Sequence, residues 1–210
     1  MTVLILDPGS PTLIPAETIT AARMAGDSVA FGEVVPATVR ELFGALGVRQ
    51  SGVRSATLWV DTDPASAEVR RRVEAGERVG GPGASGIGAA RIAMSRALEI
   101  GEWERNQDHV SLLPYLREET EEFAEAVQAH AAGYPEAVVP LLGELADVLL
   151  QVLFHAEIAA CRGDFDFTDV ADAFTAKLRS RAPYLFDGTT SMVSAEEQER
   201  IWQAAKNRGG

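Results

Sequence analysis

Four acidic side chains in the second half of the chain have the spacing that a metal site requires. Glu119 and Glu122 are three residues apart in one predicted helix. Glu144 and Asp147 have the same spacing in another. Because residues three apart lie on one face of a helix, each pair presents two carboxylates together. Carboxylates that meet inside a bundle repel one another unless a cation lies among them, so the pattern predicts a site for a hard divalent metal.

The alternative interpretation is that these acids belong to a solvated surface. Acid-rich helices usually do, and Glu121 and Glu125 are interpreted in this way. Glu144 and Asp147 differ because they interrupt a strongly apolar segment that has no lysine or arginine within one turn. Buried carboxylates without a cationic partner indicate a metal or a shifted pKa.

The ligand types indicate which metal is expected. Carboxylate oxygens favour Mg²⁺, with Mn²⁺ as a substitute, whereas Zn²⁺ favours His or Cys. The Glu-x-x-His pairs of a diiron bundle do not occur in the sequence. His155 follows Asp147 by eight residues, and a helical histidine at such a position is more often a hydrogen-bonded core residue than a ligand. We therefore interpret His155 as structural.

Basic and aromatic side chains further along the chain indicate the substrate class. Lys177 and Arg181 are one turn apart in a predicted helix, and Trp202 and Lys206 are one turn apart in the next. Each pair alone could be a surface feature. Combined with a metal, however, cations for phosphate groups and a ring for a base suggest a phosphate ester substrate.

Composition limits the other possibilities. The formal net charge of −12 argues against a sequence-independent grip on a nucleic-acid polymer. Cys161 is the only cysteine and can form no intramolecular disulfide. The N-terminus lacks the features of a signal peptide, and we found no apolar run approaching the roughly 20 residues of a spanning helix. These features predict a cytoplasmic protein without a membrane segment.

The chain divides into two regions of different character. Residues 1–79 are predicted as a small α/β region, and residues 80–88 as a Gly-rich flexible linker. Residues 89–210 are predicted as a helical bundle. In the first region, the predicted strands are 3–6 and 56–60, and the predicted helices are 15–26, 38–46 and 66–76. In the second region, the predicted helices are 89–100, 110–132, 136–161, 169–181 and about 194–207. Thr168 is the predicted N-cap of the helix at 169–181. Leu145, Leu149, Val152 and Ala156 are among the predicted core positions.

Five segments of the second region resemble the MazG-type nucleoside triphosphate pyrophosphohydrolases. The likeness covers about residues 98–208, and its acidic signature is Glu-Glu-x-x-Glu followed by Glu-x-x-Asp. The segments that carry it are residues 103–112, 116–122, 143–152, 177–183 and 202–206. The residues of the acidic signature are Glu118, Glu119, Glu122, Glu144 and Asp147.

The resemblance implies a mainly α protein of the all-α NTP-pyrophosphohydrolase class, preceded here by the small α/β region, and a homodimer or larger homo-oligomer. It implies Mg²⁺-dependent hydrolysis of NTPs and dNTPs to the monophosphate and pyrophosphate, often as nucleotide-pool cleaning. The implied roles are metal ligation by Glu119, Glu122, Glu144 and Asp147, a position beside the metal for Glu118, phosphate contacts by Lys177, Arg181 and Lys206, and nucleotide contact by Trp202. The alternative function is a non-catalytic bundle that senses a metal or nucleotide or binds a partner.

Overall fold

The computed structural model describes residues 3–24, 26 and 28–208. It separates into two compact units, Met1–Gln107 and Asp108–Gly210. The first unit contains a sheet and helices, and the second is helical throughout its regular elements. The chain is thus mainly α with a small α/β region at its start, as the sequence predicts.

A five-stranded parallel sheet forms the centre of the first unit. The order is β3-β2-β4-β1-β5, with Val3 opposite Trp59 and Val29 opposite Leu58. The strands are β1 Val3–Ile5, β2 Ser28–Phe31, β3 Arg49–Gln50, β4 Leu58–Asp61 and β5 Val79–Gly80. The helices are α1 Ala16–Met24, α2 Ala37–Ala45, α3 Ala67–Glu74, α4 Gly86–Ile100 and α5 Glu102–Arg105.

Helices cover both faces of this sheet. Because side chains alternate along a strand, Leu4 lies in one hydrophobic cluster and Ile5 in the other. The first cluster includes Phe43 of α2, and the second includes Val69 of α3 and Ile92 of α4. Strands covered on both faces are the expected outcome for an all-parallel sheet.

Two of these five strands, β1 and β4, correspond to the strands predicted from the sequence. The sequence did not predict β2, a four-residue segment that pairs with both β3 and β4. Nor did it predict β3 and β5, which have two residues each. Segments this short carry too little periodicity to be recognised, and their extended conformation depends on pairing with neighbouring strands.

The prediction of a flexible linker at residues 80–88 requires correction. Val79 and Gly80 pair with β1, a 3₁₀ turn follows at Pro82–Ala84, and α4 then begins. Gly83 is buried, and a Cβ there would collide with the carbonyl oxygen of Leu6. The glycines thus permit close approach to the sheet, and the compact units divide instead after Gln107.

In its described part, which ends at residue 208, the second unit has four long helices. They are α6 Leu113–Ala131, α7 Val138–Arg162, α8 Phe167–Arg181 and α9 Ala195–Arg208. The prediction of Thr168 as the N-cap is wrong, because Asp166 caps α8. The Asp166 carboxylate accepts hydrogen bonds from the backbone N–H groups of Thr168 and Asp169. The Asp169 carboxylate in turn accepts a hydrogen bond from the backbone N–H of Asp166. Aspartate makes this capping box possible two residues earlier than expected.

The apolar side of α7 is only partly covered. Ala156 is buried, but the predicted core residues Leu145, Leu149 and Val152 are exposed by 52%, 39% and 39%. By length and composition alone α7 could also cross a membrane, so the expectation that no apolar stretch is long enough is corrected. Such a helix is weak evidence for a membrane span, and α7 carries two acids in its first half and packs against α6.

Candidate metal centre and nucleotide site

The proposed ligands lie on a helical hairpin. A short turn at residues 132–137 joins α6 to α7, and the two helices pack against each other. In such a hairpin, residues equally far from the turn meet across the seam. Glu119 thereby faces Asp147, and Glu122 faces Glu144. The electrostatics agree with this pairing, because Asp147 exerts the largest charge effect on Glu119 and Glu144 exerts the largest on Glu122.

Three of the four predicted ligands converge. One carboxylate oxygen from each of Glu119, Glu144 and Asp147 lies within 4.8 Å of the other two. None of the three side chains is fully buried, so the cluster is accessible to an ion. Glu122 lies outside this three-residue group, one turn along α6 from Glu119, and is exposed.

The electrostatics of the cluster favour a cation. Partial burial, followed by the charge of Asp147, raises the pKa of Glu119 above its ordinary value. The charge of Glu144, followed by desolvation, raises the pKa of Glu122. Glu118 adds to both shifts. In the part of the chain that the structure describes, none of these acids forms a salt bridge, so their mutual repulsion is uncompensated by the protein.

The donor set fits a hard divalent metal. All donors are carboxylate oxygens, the ligands that Mg²⁺ and Mn²⁺ accept. Oxygens on opposite sides of one Mg²⁺ lie about 4.2 Å apart, twice the Mg–O distance of about 2.1 Å. The three oxygens lie within 4.8 Å of one another, an upper bound slightly larger than this span. Small side-chain rotations would therefore bring them into one coordination sphere.

The predicted phosphate-binding and base-binding residues lie on α8 and α9. The guanidinium carbon of Arg181 lies 5.2 Å from the centre of the Trp202 ring, a cation–π contact that joins the two helices. Lys177 and Lys206 are exposed. Neither lysine enters a salt bridge with any residue that the structure describes. The structure thus brings the acids together as one group and Arg181 with Trp202 as another.

Two residues near the hairpin were missed by the sequence analysis. His109 Nδ1 lies 2.8 Å from His155 Nδ1, so His155 is hydrogen-bonded, as expected, but to a second histidine. Gln151, one turn before His155, is only 3% exposed. Residues 109 and 155 lie on the two sides of the same seam as the acids, and this symmetry about the turn is the signal that could have identified the pair.

Comparisons with known proteins agree with this organisation. Residues 107–186 match the model of the MazG nucleotide pyrophosphohydrolase domain, and residues 1–80 match the model of the MazG N-terminal domain. The first match contains all four predicted metal ligands.

Relatives with similar sequences come from several bacteria. A protein of Mycobacterium tuberculosis named nucleoside triphosphate pyrophosphohydrolase is 36% identical over 98% of this chain, which spans 62% of that protein's length. The nucleoside triphosphate pyrophosphohydrolase/pyrophosphatase MazG of Thermotoga maritima is 44% identical over 54% of this chain and 42% of its own. The crystal structure of a mazG-related protein from Thermotoga maritima is 29% identical and covers 55% of this chain and 94% of its own, with a TM-score of 0.47.

The two domain matches follow each other along the chain, separated by residues 81–106, and together account for most of the sequence. The relative from Mycobacterium tuberculosis aligns across both. The chain therefore belongs to the MazG family, with an N-terminal domain of that family at residues 1–80 and its nucleotide pyrophosphohydrolase domain at residues 107–186.

Proposed function

We propose that this chain hydrolyses nucleoside triphosphates, both NTPs and dNTPs, to the nucleoside monophosphate and pyrophosphate in a Mg²⁺-dependent reaction. The observation that carries the proposal is the convergence of Glu119, Glu144 and Asp147 inside the matched pyrophosphohydrolase domain. The names of the relatives, nucleoside triphosphate pyrophosphohydrolases, support the type of reaction. A role in clearing unwanted nucleotides from the cytoplasmic pool follows from such a reaction.

The metal is assigned to Glu119, Glu122, Glu144 and Asp147. Of these, Glu122 is exposed and lies outside the cluster of three, and we assign it to the metal because it is one turn from Glu119 on the same helix face. Bound there, Mg²⁺ would supply Lewis-acid polarisation and positive charge beside the phosphates. The raised pKa of Glu119 and Glu122 has the sign expected for acids that lack their cation.

The remaining residues act on the substrate. Water attacks a phosphorus of the α–β anhydride in line with the departing oxygen, and Glu118 accepts the proton of that water. Lys177, Arg181 and Lys206 neutralise the charge that develops on the phosphate oxygens. Trp202 contacts the base through its ring.

The partner assigned to the apolar surface of the second unit is another copy of the chain. Leu142 and Leu145 of α7 are exposed by 68% and 52% within one chain. Exposed apolar patches of this kind mark association surfaces. A homodimer or larger homo-oligomer would cover them. The net charge of −12 disfavours a nucleic-acid polymer as a further partner.

Product analysis tests the activity. The protein is incubated with dNTPs and Mg²⁺, and pyrophosphate and orthophosphate are measured separately. We expect pyrophosphate with the monophosphate. Asp147→Asn should lower turnover by at least about 100-fold, because it removes a ligand of the ion that stabilises the transition state. Glu121→Gln, an exposed acid on α6, is the matched control and should keep wild-type turnover.

Release of orthophosphate alone, or full turnover in the Asp147→Asn variant, would contradict this assignment. The alternative function, a non-catalytic bundle that senses a metal or nucleotide, predicts a different result. The folded wild-type protein would then gain thermal stability from Mg²⁺ and nucleotide without releasing any product.

A further inference from the structure

The segment before α6 is a turn closed by its own hydrogen bonds. The Asp108 carboxylate accepts the backbone N–H groups of Val110 and Ser111, each at 2.8 Å. The Ser111 hydroxyl accepts the backbone N–H of Asp108 and donates to its carbonyl. Leu112, which follows, is 1% exposed. The segment 108–112 therefore has a defined conformation and a buried anchor.

His109 attaches this segment to α7. Its Nδ1 lies 2.8 Å from Nδ1 of His155, and the two rings are within 9° of parallel, with centres 5.1 Å apart. One Nδ1 must carry the proton that the other accepts, so at least one ring of the pair is neutral. Burial, followed by the nearness of His109, lowers the pKa of His155.

The charge of Arg162, the last residue of α7, also acts on this segment. The hydrogen bonds from Ser111 and Val110 lower the pKa of Asp108, and the positive charge of Arg162 lowers it further. His155 and Arg162 are two turns apart on α7. The hydrogen bond between the histidines thus attaches segment 108–112 to α7, and the charge of Arg162 favours the same arrangement.

The metal centre lies between this attachment and the turn that joins the two helices. On α7, Glu144, Asp147, Gln151 and His155 follow one another at intervals of three, four and four residues, so they form one polar stripe along an apolar helix. Among the residues that the structure describes, Gln151 Oε1 and His155 Nε2 are buried without a hydrogen-bond partner. Buried polar atoms in folded proteins are normally hydrogen-bonded, so two unpaired ones on the same stripe require an explanation.

We propose that His109 and His155 form a histidine clamp that positions Glu119 of α6 against Glu144 and Asp147 of α7. The covalent turn at 132–137 fixes one end of the hairpin, and the clamp fixes the other. Rotation or sliding of α6 along α7 would separate the three carboxylates, and restraint at both ends opposes it. Both histidines are positioning residues and do not contact the metal. This inference rests on the metal site of the proposed function, but it does not depend on hydrolysis.

Mn²⁺ binding to the full chain, measured by calorimetry without nucleotide, tests the clamp. His109→Ala removes the hydrogen bond and should weaken Mn²⁺ binding by about tenfold, the lower end of the range for residues that orient metal ligands. His109→Asn places an amide nitrogen where Nδ1 lies and should restore the affinity to within about threefold of wild type. Circular dichroism establishes that each variant is folded at the temperature of the titration.

The outcomes separate the two proposals. A wild-type chain that binds no Mn²⁺ contradicts the metal centre, and the clamp with it. The clamp alone is overturned if the wild-type chain binds Mn²⁺ and the His109→Ala variant is less stable but binds Mn²⁺ equally well. The contact between the histidines would then only stabilise the fold. If the His109→Ala variant does not fold, His109→Gln replaces it, because the longer glutamine side chain cannot place a nitrogen at the Nδ1 position. Equal Mn²⁺ affinity of the His109→Gln and His109→Asn variants then overturns the clamp.

Discussion

The two units of this chain complete their cores to very different degrees. In the first, strands and helices enclose two apolar clusters, in which Leu4, Val39 and Phe43 have no exposed surface, although single apolar side chains outside them, such as Leu13 at 67%, are exposed. In the second, Leu142 is exposed by 68% and Phe174 by 62%. The unit that carries the candidate catalytic residues therefore leaves apolar side chains of its long helices exposed within a single chain.

Charged residues show the same contrast. In the first unit, buried Arg72 donates to Glu68, Glu77 and two backbone carbonyls. Buried Asp61 accepts from the Trp59 indole, the Ser66 hydroxyl and two backbone N–H groups. The carboxylates of the hairpin have no such partners among the described residues. Satisfied charges stabilise a fold, whereas unsatisfied ones of a single sign are suited to hold a ligand.

The largest expected effect compares two phenylalanines. Phe43→Ala should lower the free energy of unfolding by about 3 to 5 kcal/mol, because it leaves a cavity in the core of the first unit. Phe174→Ala should change it by less than about 0.5 kcal/mol, as for an exposed residue. Denaturant unfolding of both variants measures the difference. Equal losses would show that Phe174 is covered in solution and would remove the contrast between the units.

Self-association is the second comparison. Leu145→Lys on α7 should weaken association of the chain by at least about tenfold, since a buried charge opposes an apolar contact. Leu13→Lys in the first unit, where Leu13 is 67% exposed, is the matched control and should leave association unchanged. Sedimentation equilibrium across a dilution series measures both variants. If Leu145→Lys associates like wild type, the apolar surface of α7 is not the interface.

The smallest expected effect is a difference in pH dependence. The hydrogen bond from Arg71 is the main cause that lowers the pKa of Glu68 from 4.5 to about 2. Glu68 therefore stabilises the fold above pH 4.5, and this contribution is lost as the pH falls toward 2. The pKa of Glu119 is raised above 4.5, so the folded metal-free protein binds the proton more tightly than the unfolded chain does. The free energy of unfolding therefore falls as the pH rises from 4.5 through the raised pKa.

Thermal unfolding in chelator, followed from pH 2 to pH 7, distinguishes the two glutamates. At pH 7, Glu68→Gln should cost about 1 kcal/mol, a value typical of a good surface ion pair, and the cost should disappear toward low pH. Glu119→Gln should instead stabilise the metal-free protein at pH 7. A loss of stability in both variants at pH 7 would show that Glu119 has a cationic partner in solution.

The helices of the second unit and the pairing of its acids could be predicted from sequence because both signals are local. Three-residue spacing places Glu144 and Asp147 on one face whatever surrounds them. Their convergence with Glu119 then depends only on α6 and α7 forming a hairpin around a short turn. Leu145 shows the limit of this reasoning: an apolar residue on an amphipathic helix indicates a face to be covered, without indicating whether the same chain covers it.

The first unit was harder to predict because its elements depend on distant residues. The strand at Ser28–Phe31 is defined by pairing with β4, about 30 residues away in sequence. At Gly83, a glycine required for contact with the Leu6 carbonyl has the same sequence signature as one in a flexible linker. His109 was missed for a related reason, since its partner is 46 residues away.

The contact between Arg181 and Trp202 also occupies one side of the indole ring. With the guanidinium positioned over one side of the ring at 5.2 Å, a base bound as proposed would stack on the opposite side. The indole would then lie between a permanent cation and a transient base. Trp202 is the only tryptophan of the second unit, so its fluorescence should respond to a base stacking there and provide an optical signal of nucleotide binding within that unit.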